Sequence, residues 1–272
     1  MILALLVAVS LYQEALGDYQ RQQYKQAEAK LRKVLATAPG SFDARFLLGA
    51  TLIHLDRGAD AIVELRSAVS LNPGHLDARK LLATEYLRAG QPGAVIDLFP
   101  NRLSDEETHL LLLQAYHDRG DAPDAEAAVQ LALRGLSRFP RSARLNTWLG
   151  YALGESGRTQ EARQRLEKAI ALDQADPLPR VFLAGVLARE QNFGEAIRLY
   201  REVLAASPDD VDARVGLARA LASAGLHEEA LAALKGMPES SPRLHLELSR
   251  IYSKMGRGEE AARHAEIYRR LK

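Results

Sequence analysis

Apolar residues recur along this chain at steps of three and four residues, in paired stretches separated by short polar turns. In the segment 42–75 they include Leu48 and Leu52 before a charged turn, and Ala61 and Leu65 after it. Such steps place side chains on one face of an α-helix, so the segment predicts two amphipathic helices joined by a tight connection. Neither helix can bury its apolar stripe alone.

The same pattern returns at a constant interval. Pro39 and Pro73 are 34 residues apart, and each ends a helical stretch. Small residues recur at one place in the second helix of successive pairs, and several neighbours are again 34 residues apart; these residues are Ala27, Ala61, Ala125, Ala162, Ala196, Ala230 and Ala261. A repeating helix pair of this length predicts an array in which each pair packs against the next.

The residues around these alanines resemble the motif of the tetratricopeptide repeat family, in about eight copies that extend over nearly the whole chain. A leucine and a small residue stand together in the first helix, at Leu48-Gly49, Leu82-Ala83, Leu149-Gly150, Leu183-Ala184, Leu217-Ala218 and Leu248-Ser249. The resemblance implies an all-α fold, a right-handed α-solenoid of antiparallel helix pairs. One departure is that a bulky aromatic residue of the motif is replaced, at Arg45, Arg79, Asn146, Arg180 and Arg214.

The turn glycines depart from the constant interval in the middle of the chain. Gly90 and Gly120 are 30 residues apart, whereas Gly120 and Gly157 are 37 residues apart. We therefore expect a short second helix in the third pair, broken near Pro100, and a long one in the fourth. Because proline cannot continue a helix interior, residues 100–105 are the candidate kink or flexible joint.

A second irregularity lies near the carboxyl end. Ala230 and Ala261 are 31 residues apart, which predicts another shortened helix that ends at Met237-Pro238. We interpret residues 11–272 as one continuous solenoid with a local irregularity, preceded by an apolar segment over residues 1–10.

The apolar segment allows two interpretations. Met1 to Val9 is uncharged, and Ala8-Val9-Ser10 has the small-x-small pattern of a signal-peptide cleavage site, although the basic region of an export signal is missing. The segment is too short to span a bilayer. It is either the remnant of a signal or the apolar start of the first helix, and we favour an exported or periplasmic location over a cytoplasmic one.

Charge and composition exclude several classes of protein function. Lysine and arginine total 36 against 35 acidic residues. A dedicated nucleic-acid binder needs a basic excess, so we expect none. Cysteine is absent, which excludes disulfides, thiol nucleophiles and thiolate metal sites. No catalytic motif is complete, so we predict no catalytic residue, no metal and no cofactor, and therefore no enzyme.

The family resemblance implies a binding groove lined by the first helices. Carried over to this chain, its positions include Trp148, Tyr151, Arg189, Arg219, Arg250 and Lys254. Trp148, like Phe182, has a core position as its alternative. The basic residues suit a protein or peptide segment with apolar and acidic residues, and a solvated edge without a ligand is the alternative. Reversing the charges of Arg219 and Arg250 to glutamate should then weaken partner capture and leave the melting temperature unchanged.

The function that these patterns favour is a non-enzymatic scaffold for protein–protein interaction, in a bacterial-style assembly or envelope pathway. Two alternatives belong to other classes. One is the substrate-presenting repeat arm of a multi-domain enzyme, such as a glycosyltransferase. The other is a self-assembling structural subunit, against which the charged face of the last helix counts.

Overall fold

The computed structural model describes residues 2–99, 103, 105–120 and 124–272, with side chains from Val7 onward. All regular secondary structure in these residues is helical. The helices are α1 (Ile2–Gln20), α2 (Tyr24–Thr37), α3 (Phe42–His54), α4 (Gly58–Leu71), α5 (Leu76–Arg88), α6 (Pro92–Leu98), α7 (Glu106–Arg119), α8 (Asp124–Arg138), α9 (Ala143–Glu155), α10 (Thr159–Leu172), α11 (Leu178–Arg189), α12 (Phe193–Ala206), α13 (Val211–Ser223), α14 (His227–Ala233), α15 (Pro242–Lys254) and α16 (Gly258–Leu271). The predicted all-α repeat fold is confirmed.

Within each unit, consecutive helices such as α3 and α4, or α9 and α10, pack as hairpins, and the small residues lie inside them. The odd-numbered helix is the first of each pair, and first helices of successive pairs also contact each other, for example α9 with α11 and α13 with α15. Ala61, Ala162 and Ala196 have no exposed surface. Each of these alanines is therefore fully enclosed by protein.

Glycines in first helices let a large side chain of the second helix reach the backbone. A Cβ atom on Gly49 would stand 2.6 Å from Cγ of Leu65, closer than real Cβ contacts allow. In the pair α11/α12, the ring of Tyr200 extends onto the next first helix, where a Cβ on Gly216 would overlap it. The close approach of paired helices thus depends on glycines of first helices that lie opposite large side chains of second helices, as well as on the buried alanines.

Polar side chains cap the starts of several first helices. The Ser41 hydroxyl accepts the N–H of Ala44 at 3.3 Å, and the Asp210 carboxylate accepts that of Ala213 at 2.8 Å. One residue into each helix, an acidic residue (Asp43, Asp212) lies in the first turn, where it faces the positive end of the helix dipole.

Two of the arginines that replace the motif's aromatic residue, Arg45 and Arg214, hold the chain between repeats. Arg45 donates to the carbonyl of Pro39 at 2.9 Å and binds Glu64 of α4 at 2.7 Å. Arg214 donates to the carbonyls of Pro208 and Lys235. Guanidinium groups therefore bind the carbonyls left free after the second helices, a task that an aromatic ring could not perform.

The irregular spacings correspond to irregular second helices. α6 and α14 have seven residues each, and α8 has 15. α14 ends at Ala233, earlier than the expected Met237-Pro238, because the chain there turns through Gly236 with a φ of +89°. The candidate kink at 100–105 falls on residues 100–102 and 104, which lie outside the described residues.

The chain divides into two compact units, unit 1 (Met1–Asp124) and unit 2 (Ala125–Lys272). The single continuous solenoid over residues 11–272 stays a prediction. Residues 2–10 form the first half of α1. Among the described helices, none is long and apolar enough to cross a membrane.

Candidate functional site

Four first helices of unit 2, α9, α11, α13 and α15, pack side by side. They carry all the residues predicted to bind a partner, namely Trp148 and Tyr151 on α9, Arg189 on α11, Arg219 on α13, and Arg250 and Lys254 on α15. We call these six residues, with Phe182 of α11, the first-helix face of unit 2.

Aromatic rings occupy one part of the first-helix face. The ring centroid of Phe182 lies 5.7 Å from Trp148 and 4.6 Å from Tyr151, and the two rings of α9 meet edge to face at 6.0 Å. All three side chains are half-buried. Each ring therefore joins two repeats and keeps an exposed portion.

A buried carboxylate organises the basic part of the face. Glu247 of α15 has a side chain that is only 2% exposed, and one of its oxygens binds both Arg219 at 2.5 Å and Arg250 at 2.9 Å. The hydrogen bond that Arg219 donates to Glu247 raises the pKa of Arg219 above its ordinary value. Both arginine side chains stay at least half exposed, so each keeps N–H groups directed at solvent.

The remaining cations are also joined to the neighbouring first helix. Arg189 of α11 forms an ion pair with Glu155 of α9. The Lys254 ammonium lies 3.3 Å from the Ser223 hydroxyl of α13. Each predicted cation therefore binds a partner on its own or an adjacent first helix, while its side chain remains accessible.

These ion pairs change the expected effect of charge reversal. Glutamate at positions 219 and 250 would repel the buried Glu247 carboxylate and remove both of its cations. We now expect the double variant to lower the melting temperature in a thermal scan. The exchange therefore cannot separate partner binding from folding.

Two residues of the site were missed by sequence reasoning. Glu247 precedes Arg250 by three residues, a spacing that indicates contact on a helix, but its contact with Arg219 spans 28 residues. Tyr200 stands where several repeats have leucine, and the glycines Gly185 and Gly216 lie opposite its ring. An aromatic residue in place of leucine, with glycines on the flanking first helices, is the signal that could have identified it.

Comparison with protein-family models matches tetratricopeptide repeats over residues 18–66 and 187–243 with one model, and over residues 110–177 with another. Together these matches cover more than half of the chain. A solved tetratricopeptide repeat protein of Parabacteroides merdae has a similar fold, with a TM-score of 0.55 and 15% identity over 98% of this chain and 93% of that one.

Two curated relatives are bacterial. One is the cytochrome c-type biogenesis protein CycH of Rhizobium meliloti, 32% identical over 46% of this chain and 39% of that protein. The other is cellulose synthase operon protein C of Pseudomonas fluorescens, 38% identical over 28% of this chain and 6% of that protein. This chain thus matches less than half the length of either relative. The repeat spacing, the helix pairs and the family models agree that the chain belongs to the tetratricopeptide repeat family.

Proposed function

We propose that this protein is a non-enzymatic scaffold that binds a segment of a partner protein on the first-helix face of unit 2. The observation that carries the proposal is the side-by-side arrangement of the three aromatic rings and the half-exposed arginines on successive helices. Aromatic rings and arginines are the residue types that contribute most to protein–protein binding.

The chemistry of the face suits a segment with an apolar anchor and an acidic residue. The anchor would pack on Trp148, Tyr151 and Phe182, where half-buried rings offer apolar area at small entropic cost. The acidic residue would meet the arginines, whose exposed N–H groups suit carboxylate oxygens. The aromatic rings and the arginines together suit the binding of a single segment of a partner protein, whether that partner is folded or unfolded.

The relatives support a role in an assembly pathway. Their names refer to the biogenesis of c-type cytochromes and to the cellulose synthase operon. A repeat array with a long binding surface can hold one protein near others, which requires binding rather than a catalytic group. We propose a corresponding bacterial role for this chain.

The proposal is tested with a random dodecapeptide library displayed on phage and selected on the whole chain. An enriched peptide is synthesised, and its Kd is measured for the wild type and for a variant with Arg189→Gln and Lys254→Gln. Both side chains are exposed, and their partners Glu155 and Ser223 are exposed as well, so the fold should be kept. We expect the variant to bind about tenfold more weakly, since two charge-assisted contacts are lost.

The matched control replaces two exposed cations of second helices, Lys168→Gln on α10 and Arg201→Gln on α12. Arg201 also forms an exposed ion pair, at 2.9 Å with Glu229. The control should bind the peptide as the wild type does. Equal Kd values for the test variant and the control, or no enriched peptide, would reject the first-helix face as a binding site.

A further inference from the structure

Tyr200 of the second helix α12 contacts α11 and α13, the two first helices that carry Arg189 and Arg219. Its hydroxyl oxygen lies 3.6 Å from the place of a Cβ on Gly185 of α11, and a Cβ on Gly216 of α13 would overlap its ring. The missing side chains of these two glycines let the phenol pass between α11 and α13. The hydroxyl therefore lies between two first helices.

The Tyr200 hydroxyl has no protein partner in the described part of the chain, although the residue is only 5% exposed. A tyrosine hydroxyl this deep in a protein ordinarily finds a hydrogen-bond partner. Its oxygen is not among the atoms fully sealed from solvent, so it can meet a group from outside. Burial raises the pKa of Tyr200 to about 12, so the O–H stays available as a donor at neutral pH.

Two arginines flank this hydroxyl. Arg189 follows Gly185 by four residues and Arg219 follows Gly216 by three, which are the spacings of neighbours on one helix face. Both guanidinium charges act on the Tyr200 phenol. Glu155 binds Arg189 and Glu247 binds Arg219, so the side chains are held in place before a ligand arrives.

The charge of the cluster indicates the kind of anion it would accept. The charges that act on the Tyr200 phenol are those of Arg219 and Arg189, opposed by Asp212, which leaves one net positive charge around the hydroxyl. One net positive charge matches a carboxylate, whereas a phosphate carries about two negative charges near neutral pH. Asp212 lies nearby but is paired with Arg243 at 2.5 Å.

We infer that the Tyr200 hydroxyl, which lies between Gly185 and Gly216 and is flanked by Arg189 and Arg219, donates a hydrogen bond to an aspartate or glutamate side chain of the bound partner segment. The inference rests on the proposed function and names the chemistry of one position in the ligand. Tyr200 is then the specificity residue of the face, because a neutral donor between two fixed cations favours a carboxylate over an amide.

The experiment uses the enriched dodecapeptide that contains an acidic residue, and Tyr200→Phe, which removes one hydroxyl and keeps the ring. We expect Tyr200→Phe to raise the Kd about tenfold. In a second peptide, the acidic residue is replaced by its amide, asparagine or glutamine. This peptide should bind the wild type about tenfold more weakly than the acidic peptide does. With Tyr200→Phe, the two peptides should differ much less in Kd. Tyr24→Phe in unit 1, whose ring stacks on His54, is the matched control and should leave the Kd unchanged.

The outcomes separate this inference from the proposed function. If Arg189→Gln with Lys254→Gln weakens binding but Tyr200→Phe does not, the first-helix face stands and the role of Tyr200 is wrong. That role is also wrong if the amide peptide loses as much affinity with Tyr200→Phe as with the wild type, or if a phosphoserine peptide binds more tightly than the acidic one. Unchanged melting of Tyr200→Phe confirms that a loss of affinity is not a loss of fold.

Discussion

At the scale of single residues, close helix packing depends on glycines, whose missing side chains leave room for a neighbouring helix. Gly216 of α13 leaves the space that the ring of Tyr200 fills. Elsewhere the same role belongs to Gly49 and Gly150, which face Leu65 and Leu166. A residue that is a poor helix former is thus retained inside a helix because a neighbour needs its missing Cβ.

Replacing Gly216 by alanine should destabilise the protein. Alanine is the better helix former by about 1 kcal/mol. The added Cβ would overlap the Tyr200 ring, and overpacking of this kind costs about 1–3 kcal/mol. We therefore expect a lower midpoint in urea unfolding.

Gly194→Ala in α12 is the control for this substitution. Nothing lies within 4 Å of the place of its Cβ, so the gain in helix propensity should be kept and the urea midpoint should not fall. Equal midpoints for the two variants would contradict the close approach of Tyr200 to α13.

Sequence reasoning identified the buried alanines because their interval is visible in one chain. It did not account for Arg45 and Arg214, which replace an aromatic residue of the motif. Their role is to bind carbonyls that follow a preceding helix, such as those of Pro39 and Pro208. The sequence does not show which backbone carbonyls lack a hydrogen bond within a helix. This role of the arginines could therefore be recognised only in the structure.

At the scale of elements, the hairpin of α15 and α16 contains a pair of histidines. Nδ1 of His245 lies 2.9 Å from Nδ1 of His264, and the His264 ring stacks on Tyr252 at 5.5 Å. Nε2 of His245 bonds the carbonyl of Glu239 at 2.8 Å. Burial first, then the charges of His245 and Arg263, lower the pKa of His264 below its ordinary value of 6.5, while Glu239 opposes them.

This shift predicts that acid weakens the fold. Because the folded-state pKa of His264 is depressed, the unfolded chain binds more protons. The stability that His264 contributes is present above the unfolded pKa near 6.5 and is lost as pH falls from there through the lower folded-state pKa. Urea unfolding at pH 8 and pH 5.5 should show a smaller pH dependence for His264→Phe than for the wild type.

Phenylalanine keeps a ring against Tyr252 and removes the titrating group, so the pH dependence can be compared without loss of stacking. His54→Phe in unit 1 controls for the removal of a histidine as such, because His54 stacks on Tyr24 at 4.4 Å in a similar way. An equal pH dependence of the wild type and His264→Phe would show that this hairpin does not respond to protonation.

The second helices also show how far spacing alone can predict an element. Shortened intervals predicted that α6 and α14 would be short, and both have seven residues. The predicted end of α14 was wrong by four residues, because a turn through Gly236 does not alter the interval between repeats. Spacing therefore fixes the length available to a helix but not its last residue.

At the scale of the whole molecule, the helices contact mainly their near neighbours along the chain. A change in one repeat should therefore affect adjacent helices and leave distant ones intact. Ala61→Leu in unit 1 places a large side chain at a position with no exposed surface, and we expect a loss of about 1–3 kcal/mol of stability. Binding of the selected dodecapeptide to unit 2 should keep its Kd.

Ala162→Leu in α10 provides the comparison. Ala162 is also fully buried, but it lies 3.8 Å from the place of a Cβ on Gly154, in the helix that carries Trp148 and Tyr151. This variant should lose similar stability and also bind the peptide more weakly. Equal weakening by both variants would show that the repeats are coupled over a longer range.

The fold of this protein was more predictable than its candidate site. The first-helix residues of the site follow from the motif, since position in the repeat decides which face a side chain occupies. The ion pairs of Glu155 with Arg189 and of Arg219 with Glu247 join residues 34 and 28 positions apart. Such pairs depend on side-chain reach across two helices, which periodicity does not describe.

The ion pairs that join successive first helices have a consequence for protein engineering. Glu155, Glu247 and Ser223 each serve a cation that belongs to the next or the preceding repeat. The repeats of unit 2 are therefore not interchangeable modules, because deleting the pair α13/α14 would remove Arg219 and leave the buried Glu247 with Arg250 as its remaining cation. When this array is shortened or extended, the two residues of each such pair must be moved together. The junction between α13 and α15, which two of these pairs join, should be left unchanged.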